Sequence, residues 1–155
     1  LGGFDGDFFA HMEEIDFCWR AQLAGYRIRV EPRSTVFHVG GGTLPNNSPQ
    51  KIYLNFRNNL CMLFKNLSPG TFWPVLFSRM VLDGMAALVF LVQGHPDFFK
   101  KVFRAHIDFH RQRKSLHEKR RAIQRHRVAR PHGILRNSII LLHAFGYRTF
   151  DKVMR

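Results

Sequence analysis

Cysteine is scarce in this chain: Cys18 and Cys61 stand alone, with no CxxC spacing. That pattern offers neither a disulfide framework nor a thiolate metal clip, and fits a reducing, cytosolic setting. Acidic residues are also few, 11 against 24 Lys and Arg, for a net charge of +13. No aromatic residue falls between 110 and 136, so the most basic stretch lacks the stacking platforms that single-stranded nucleic-acid binders interleave with their charges. No nucleic-acid-binding module surrounds it, and no nucleic acid is expected as partner. His106 and His110 are spaced i, i+4 but lack an HExxH frame and a third ligand, which argues against a metal there. Gly40, Gly41 and Gly42 lack the strand–GxGxxG–helix context of a dinucleotide site and read as a loop. The chain has no visible leader peptide and no internal repeat. It also lacks a long unbroken apolar run. Val75 to Val92 approaches the roughly 20 residues that a membrane span needs, but Arg79 and Asp83 interrupt it. A charge at mid-bilayer costs about 2.5–3.5 kcal/mol, and Gly84–Val92 alone is too short to cross. Residues 67–99 are therefore expected to form one or two amphipathic helices lying on a membrane or packed on the domain, with a true span as the alternative.

What is present divides the chain in two. Residues 1–66 are nearly neutral and read as mixed α/β. Ile15, Cys18, Trp19 and Leu23 recur at helical spacing, and Gly25 follows as a helix stop. Tyr26, Ile28 and Val30 alternate with Arg27 and Arg29, the pattern of a half-buried strand, which Pro32 ends. Val36 to Val39 reads as a second short strand. A loop follows, carrying Pro45 and Pro49, and then Ile52, Tyr53, Phe56, Leu60, Leu63 and Phe64 trace one helix face. Residues 67–155 form a helical, basic tail. Its charge is concentrated after position 99, where 16 Lys and Arg meet 3 Asp and Glu. Such an excess faces an acidic partner or is a solvated basic surface. Phe98, Phe99, Val102, Phe103, Ile107 and Phe109 predict an amphipathic helix. Beyond Lys114 the pattern turns polar, and Ile139 to Phe145 is a last apolar patch expected to dock back. The chain opens at Leu1 with a segment that reads as domain interior, so an upstream part is expected.

The stretch His11-Met12-Glu13-Glu14-Ile15-Asp16 carries the chemistry. Three carboxylates fall within four residues at a helix start, where unpaired N–H groups and the dipole favour anions. Two readings stand. One is plain helix capping. The other places one carboxylate toward a cleft as a general base, within hydrogen-bond reach of a hydroxyl, with its neighbour raising its proton affinity.

Four pieces in order, GGFDGDFF, HMEEIDFCWRAQLAGYRI, VFHVGGGT and YLNFRNNLCMLFKN, resemble the C-terminal half of family 2 glycosyltransferases over residues 1–66. The resemblance implies an α/β chain: the C-terminal half of a GT-A, Rossmann-like domain, followed by the amphipathic, basic α-helical tail. It implies inverting transfer of a sugar from a nucleotide-sugar donor to an acceptor hydroxyl, in cell-surface polysaccharide synthesis. Glu13 and Glu14 match the family's Glu-Asp pair, with Glu14 as the base although it is one methylene longer. Asp16 matches a further acidic position that supports the loop. His38 matches a position that helps bind a metal or diphosphate, and neutral imidazole suits a divalent ion; a packed core histidine is the other reading. Gly2, Gly3 and Phe4 match the loop bordering the acceptor, where glycine lets backbone approach a ligand. Arg57, paired with Asn58, contacts diphosphate or acceptor, or serves structure. The implied cofactor is a divalent metal, Mg or Mn, that neutralises the leaving diphosphate. The nucleotide-binding βα units that precede this half in the family are not in this sequence, so the chain alone is expected to be inactive. The implied partners are the sugar nucleotide, a glycan or lipid-linked acceptor, and an anionic membrane surface at the cytoplasmic face of the cell membrane. The alternative is a non-catalytic basic module that binds a membrane surface or nucleic acid.

Overall fold

The computed structural model describes residues 1–37, 45 and 48–132. His38, the glycine loop, the second half of the Val36–Val39 segment and the Ile139–Phe145 patch lie outside them. Five α-helices follow a short 3-10 turn at Gly6–Phe8: α1 (Glu13–Leu23), α2 (Pro49–Asn66), α3 (Pro69–Val92), α4 (Pro96–Arg111) and α5 (Arg113–Arg125).

The α/β, Rossmann-like expectation is overturned, because the described residues contain helices and loops but no strand. Tyr26, Ile28 and Val30 alternate as a strand would, yet all three are exposed. A strand needs a neighbouring ladder and a buried face to act on that alternation. The described residues supply neither, so the segment is extended loop.

The helices start and stop for local reasons. Ser48 caps α2 by accepting from the Lys51 N–H at 3.2 Å, with Pro49 in the first turn, the arrangement that satisfies an otherwise orphaned donor. Gly25 ends α1 at φ +89°. The Tyr26 N–H returns to the Ala21 carbonyl at 2.9 Å and the Gly25 N–H to Gln22 at 3.0 Å, which is a Schellman closure. Gly94 does the same for α3 at φ +80°, with the His95 N–H on the Phe90 carbonyl at 2.9 Å. Pro96 then opens α4 in its first turn.

Helix α2 is the central post, against which α1, α3, α4 and α5 all pack. One core spans position 66: Leu60, Cys61 and Phe64 of α2 meet Phe8 of the 3-10 turn, Phe72 and Leu76 of α3, Phe109 of α4 and Leu116 of α5. Phe64 is its hinge, packing edge-on against Phe72 at 5.1 Å and Phe109 at 5.7 Å. Burial pushes the Cys61 thiol up to about 11, which makes it an inert core side chain.

The polar stretch after Lys114 folds as well. α5 buries only Leu116, and its long side chains close the end of α2 instead. Arg120 donates to the Phe64 carbonyl at 2.7 Å, and Gln124 donates to the Lys65 carbonyl at 3.2 Å and the Asn66 carbonyl at 3.3 Å. These are the carbonyls a helix end leaves unpaired. The Arg120 guanidinium also covers the Phe72 ring at 4.4 Å.

A methyl group at Gly25 would meet Val128 Cγ2 at 3.1 Å, on a backbone already left-handed. Gly25→Ala is therefore expected to lower stability by about 1–2 kcal/mol, measured as a shift in the urea midpoint at unchanged slope.

Candidate functional site

The acidic helix start is built on a buried ionic network. Asp16 has no exposed surface. Its Oδ2 accepts from Arg20 Nε at 2.8 Å, and its Oδ1 accepts from Asn66 Nδ2 at 2.7 Å and lies 3.1 Å from Lys65 Nζ. Lys65 is equally buried, reaches Asp5 Oδ2 at 2.5 Å, and lies over the Phe8 ring at 4.3 Å. Arg20 then donates to the Leu1 and Gly3 carbonyls, both at 2.7 Å. Lys119 of α5 closes the circuit on Asp5 at 2.5 Å and Asp7 at 2.6 Å.

The electrostatics follow from the geometry. Burial raises the Asp5 carboxyl, but the hydrogen bonds from Lys119 and Lys65 outweigh it and bring it down to about 2. Burial lowers the Lys119 ammonium, and its bonds to Asp5 and Asp7 reverse that and hold it above its usual value.

Between this network and α1 the backbone is strained. Phe9, His11 and Met12 all have positive φ, at 61°, 68° and 72°, a region that side chains with a Cβ rarely enter. Asn58, fully buried on α2, holds the strained turn by donating to the Phe8, Ala10 and His11 carbonyls at 2.8–2.9 Å. Arg57 donates to the Asp7 carbonyl at 2.7 Å and to Asn58 Oδ1 at 2.7 and 2.9 Å. Each such residue costs on the order of 1–3 kcal/mol, so the turn persists because Asn58 and its neighbours fix it.

Glu13 and Glu14 emerge directly from this turn in the first helical positions of α1. Glu14 is exposed and Glu13 is half-buried, with its Oε2 shut from solvent and without a hydrogen-bond partner among the described residues. His11 Nε2 is buried and unpartnered too. Gly2, Gly3 and Phe4 line a separate hollow of about 270 Å³ together with Arg20, Lys65 and Lys119. Neither glutamate lines that hollow or the two beside it.

Of the residues that sequence reasoning singled out, Asp16 is buried in the ionic network and half-buried Arg57 is bonded to the Asp7 carbonyl and Asn58. Gly2, Gly3 and Phe4 share a hollow that neither Glu13 nor Glu14 lines. His38, expected as a metal ligand, falls outside the described residues. Among those described, no three His, Cys, Asp or Glu side chains group closely enough to hold a metal ion. The acidic residues near Glu13 and Glu14 are already neutralised by Lys65, Lys119 and Arg20, so this donor set does not fit a divalent cation. Sequence reasoning missed Lys65, Asn66, Lys119 and Arg20 as organisers. Only Arg20 carried a local signal, its i, i+4 spacing from Asp16.

No protein-family model, curated protein or solved structure matches the chain.

Two outcomes are expected. Asp16→Asn leaves buried Lys65 with Asp5 alone and Arg20 with no carboxylate partner among the described residues, and lowers stability by about 3–5 kcal/mol, read by chemical denaturation. The depressed Asp5 carboxyl adds stability above its ordinary 3.8, and that stability is lost as pH falls toward about 2. Thermal midpoints measured across that window are therefore expected to fall more steeply in the native chain than in Asp5→Asn.

Proposed function

We propose that this chain transfers a sugar from a nucleotide-sugar donor to an acceptor hydroxyl, with inversion, and that Glu14 is the general base. One observation carries the reading: a strained turn, fixed by buried Asn58, delivers two adjacent glutamates that form no hydrogen bond or ion pair among the described residues. Strain of this kind concentrates where a side chain must be held for chemistry. The residue resemblance to family 2 glycosyltransferases supports the reading independently; the fold does not enter it.

Burial divides the three carboxylates by role. Asp16 is committed to Arg20, Asn66 and Lys65. Glu13 turns one oxygen inward. Glu14 is exposed, and an incoming alcohol reaches it. Glu14 takes the hydroxyl proton as the acceptor oxygen attacks the anomeric carbon. The bond from that carbon to the nucleoside diphosphate breaks, and the diphosphate leaves with the electron pair. The acceptor is a growing surface glycan or its lipid-linked precursor. It is met at the cytoplasmic face of the membrane, where the basic residues of α4 and α5 face anionic lipid.

The test is sugar transfer by the full-length gene product. Glu14→Gln keeps size and removes basicity, and is expected to lower kcat by about 10²–10⁴-fold, with a smaller loss for Glu13→Gln. Unchanged transfer by Glu14→Gln rejects Glu14 as the base.

A further inference from the structure

We infer that α3 beds lengthwise in one leaflet of an anionic phospholipid bilayer, its outward face in the hydrocarbon and its inward face on α4. The inference extends the membrane-surface part of the function proposed above. It uses none of the transfer chemistry.

Helix α3 has 24 residues and is roughly 36 Å long at 1.5 Å per residue. By length and apolar composition it could cross a membrane. The charges that interrupt its sequence all face inward. Asp83 is buried, its Oδ1 2.7 Å from Arg79 Nε and its Oδ2 3.1 Å from His106 Nε2 of α4. The Arg79 guanidinium also covers the Phe56 ring of α2 at 5.5 Å.

The outward side carries Trp73, Phe77, Val81, Met85, Leu88 and Val92, all exposed, and no charged residue. Its two hydroxyls ask nothing of a solvent. Ser78 donates to the Pro74 carbonyl at 2.7 Å, and Thr71 pairs with Ser68 at 2.7 Å. A face with its polar groups satisfied internally suits hydrocarbon, which offers no hydrogen bonds. An aqueous surface would not need that, and a protein partner would usually be met by some polar rim.

Charge beside the face selects the occupant. α4 runs back along α3, with Phe98 against Phe90 and His106 against Asp83. Phe103 is three residues from His106 and so on the neighbouring stripe of α4, and it is exposed. Lys100, Arg104 and Arg111 come next around the helix, all exposed. The order apolar face, aromatic edge, cationic border is that of an in-plane helix at an anionic headgroup layer. The same packing excludes a crossing: a spanning α3 would draw the charged stripe of α4 into the bilayer core.

The test uses the full chain and Trp73 as the depth reporter. The chain has two tryptophans, and Trp19→Phe leaves Trp73 alone. Phosphatidylcholine vesicles with and without phosphatidylglycerol are made with acyl-chain-brominated lipid. Expected are co-sedimentation that rises with phosphatidylglycerol, quenching of Trp73 by the bromines, and at least a roughly tenfold loss of partitioning for Met85→Glu and for Leu88→Glu. Both substituted positions are exposed, and circular dichroism checks that the variants stay folded. Absence of quenching overturns the inference. So does a lipid-free dimer that either substitution dissociates, which would mean that a second copy covers the face. A cysteine replacing Gln93 that is labelled only from the side of sealed vesicles opposite to one replacing Arg113 would mean a span, and overturns it equally. These readouts register binding and depth, so a transfer-dead enzyme that binds as expected leaves the inference standing.

Discussion

Two carboxylates and two ammonium groups meet where the N-terminal loop, α1, α2 and α5 converge. Asp5, Asp16, Lys65 and Lys119 join these four segments, and Arg20 adds the chain start through the Leu1 and Gly3 carbonyls. Full burial of Asp16 and Lys65 is costly in isolation, because ions lose their hydration. It is tolerated here because every charge finds an opposite one and because Asn66, Arg20 and the Phe8 ring take up further bonding capacity. Apolar packing of the same volume would hold α1 to α2 as well. It would not fix the direction of the loop, which runs through fixed hydrogen bonds to specific carbonyls.

Direction matters because of what the loop leads into. Phe9, His11 and Met12 adopt a backbone that the chain would leave if released. Asn58 on one side and the ionic circuit on the other leave no relaxed path between Asp5 and Glu13. The consequence is that α1 begins without a side-chain cap, at a left-handed Met12. Its cap position holds Met12 rather than Ser or Asn, so helix stability is given up for placement. The dipole of α1 favours negative charge there, which suits glutamates in its first turn.

Legibility in the sequence followed the range of the interactions. Helices α1, α2 and α4 were readable from apolar spacing, and the end of α1 from Gly25, because those signals act within a few residues. The Tyr26–Val30 strand was misread because alternation means burial only when a partner ladder exists, and sequence alone does not supply the partner. α5 escaped for the opposite reason. It shows a single fully buried apolar residue, and its stability comes from Arg120 and Gln124 bonding carbonyls some 55 positions away. The same distance hid the site: Asp16 was visible, but Asn66 lies 50 residues on and Lys119 lies 114 residues from Asp5. The resemblance drew attention to the acidic pair, but the strained turn that presents it appears only in three dimensions.

The two ends of the molecule solve one problem in opposite ways. At the N-terminal site, buried charges cancel one another, and the two glutamates beside them stay outside that network among the described residues. Along α3, Arg79, Asp83 and His106 cancel one another so that the outer face is left with no charge at all. The sequence pattern of α3, an apolar run broken twice, reads as a failed membrane span only if the breaks are assumed to face outward. Once they face α4, the interruption becomes the adhesive that holds the helix flat against its neighbour, and the remaining surface is uniformly apolar. A basic chain with that geometry has its cations and its hydrocarbon-seeking surface on adjoining stripes. The apolar face of α3 and the glutamates of α1 are joined through one helix, since α2 touches both α1 and α3.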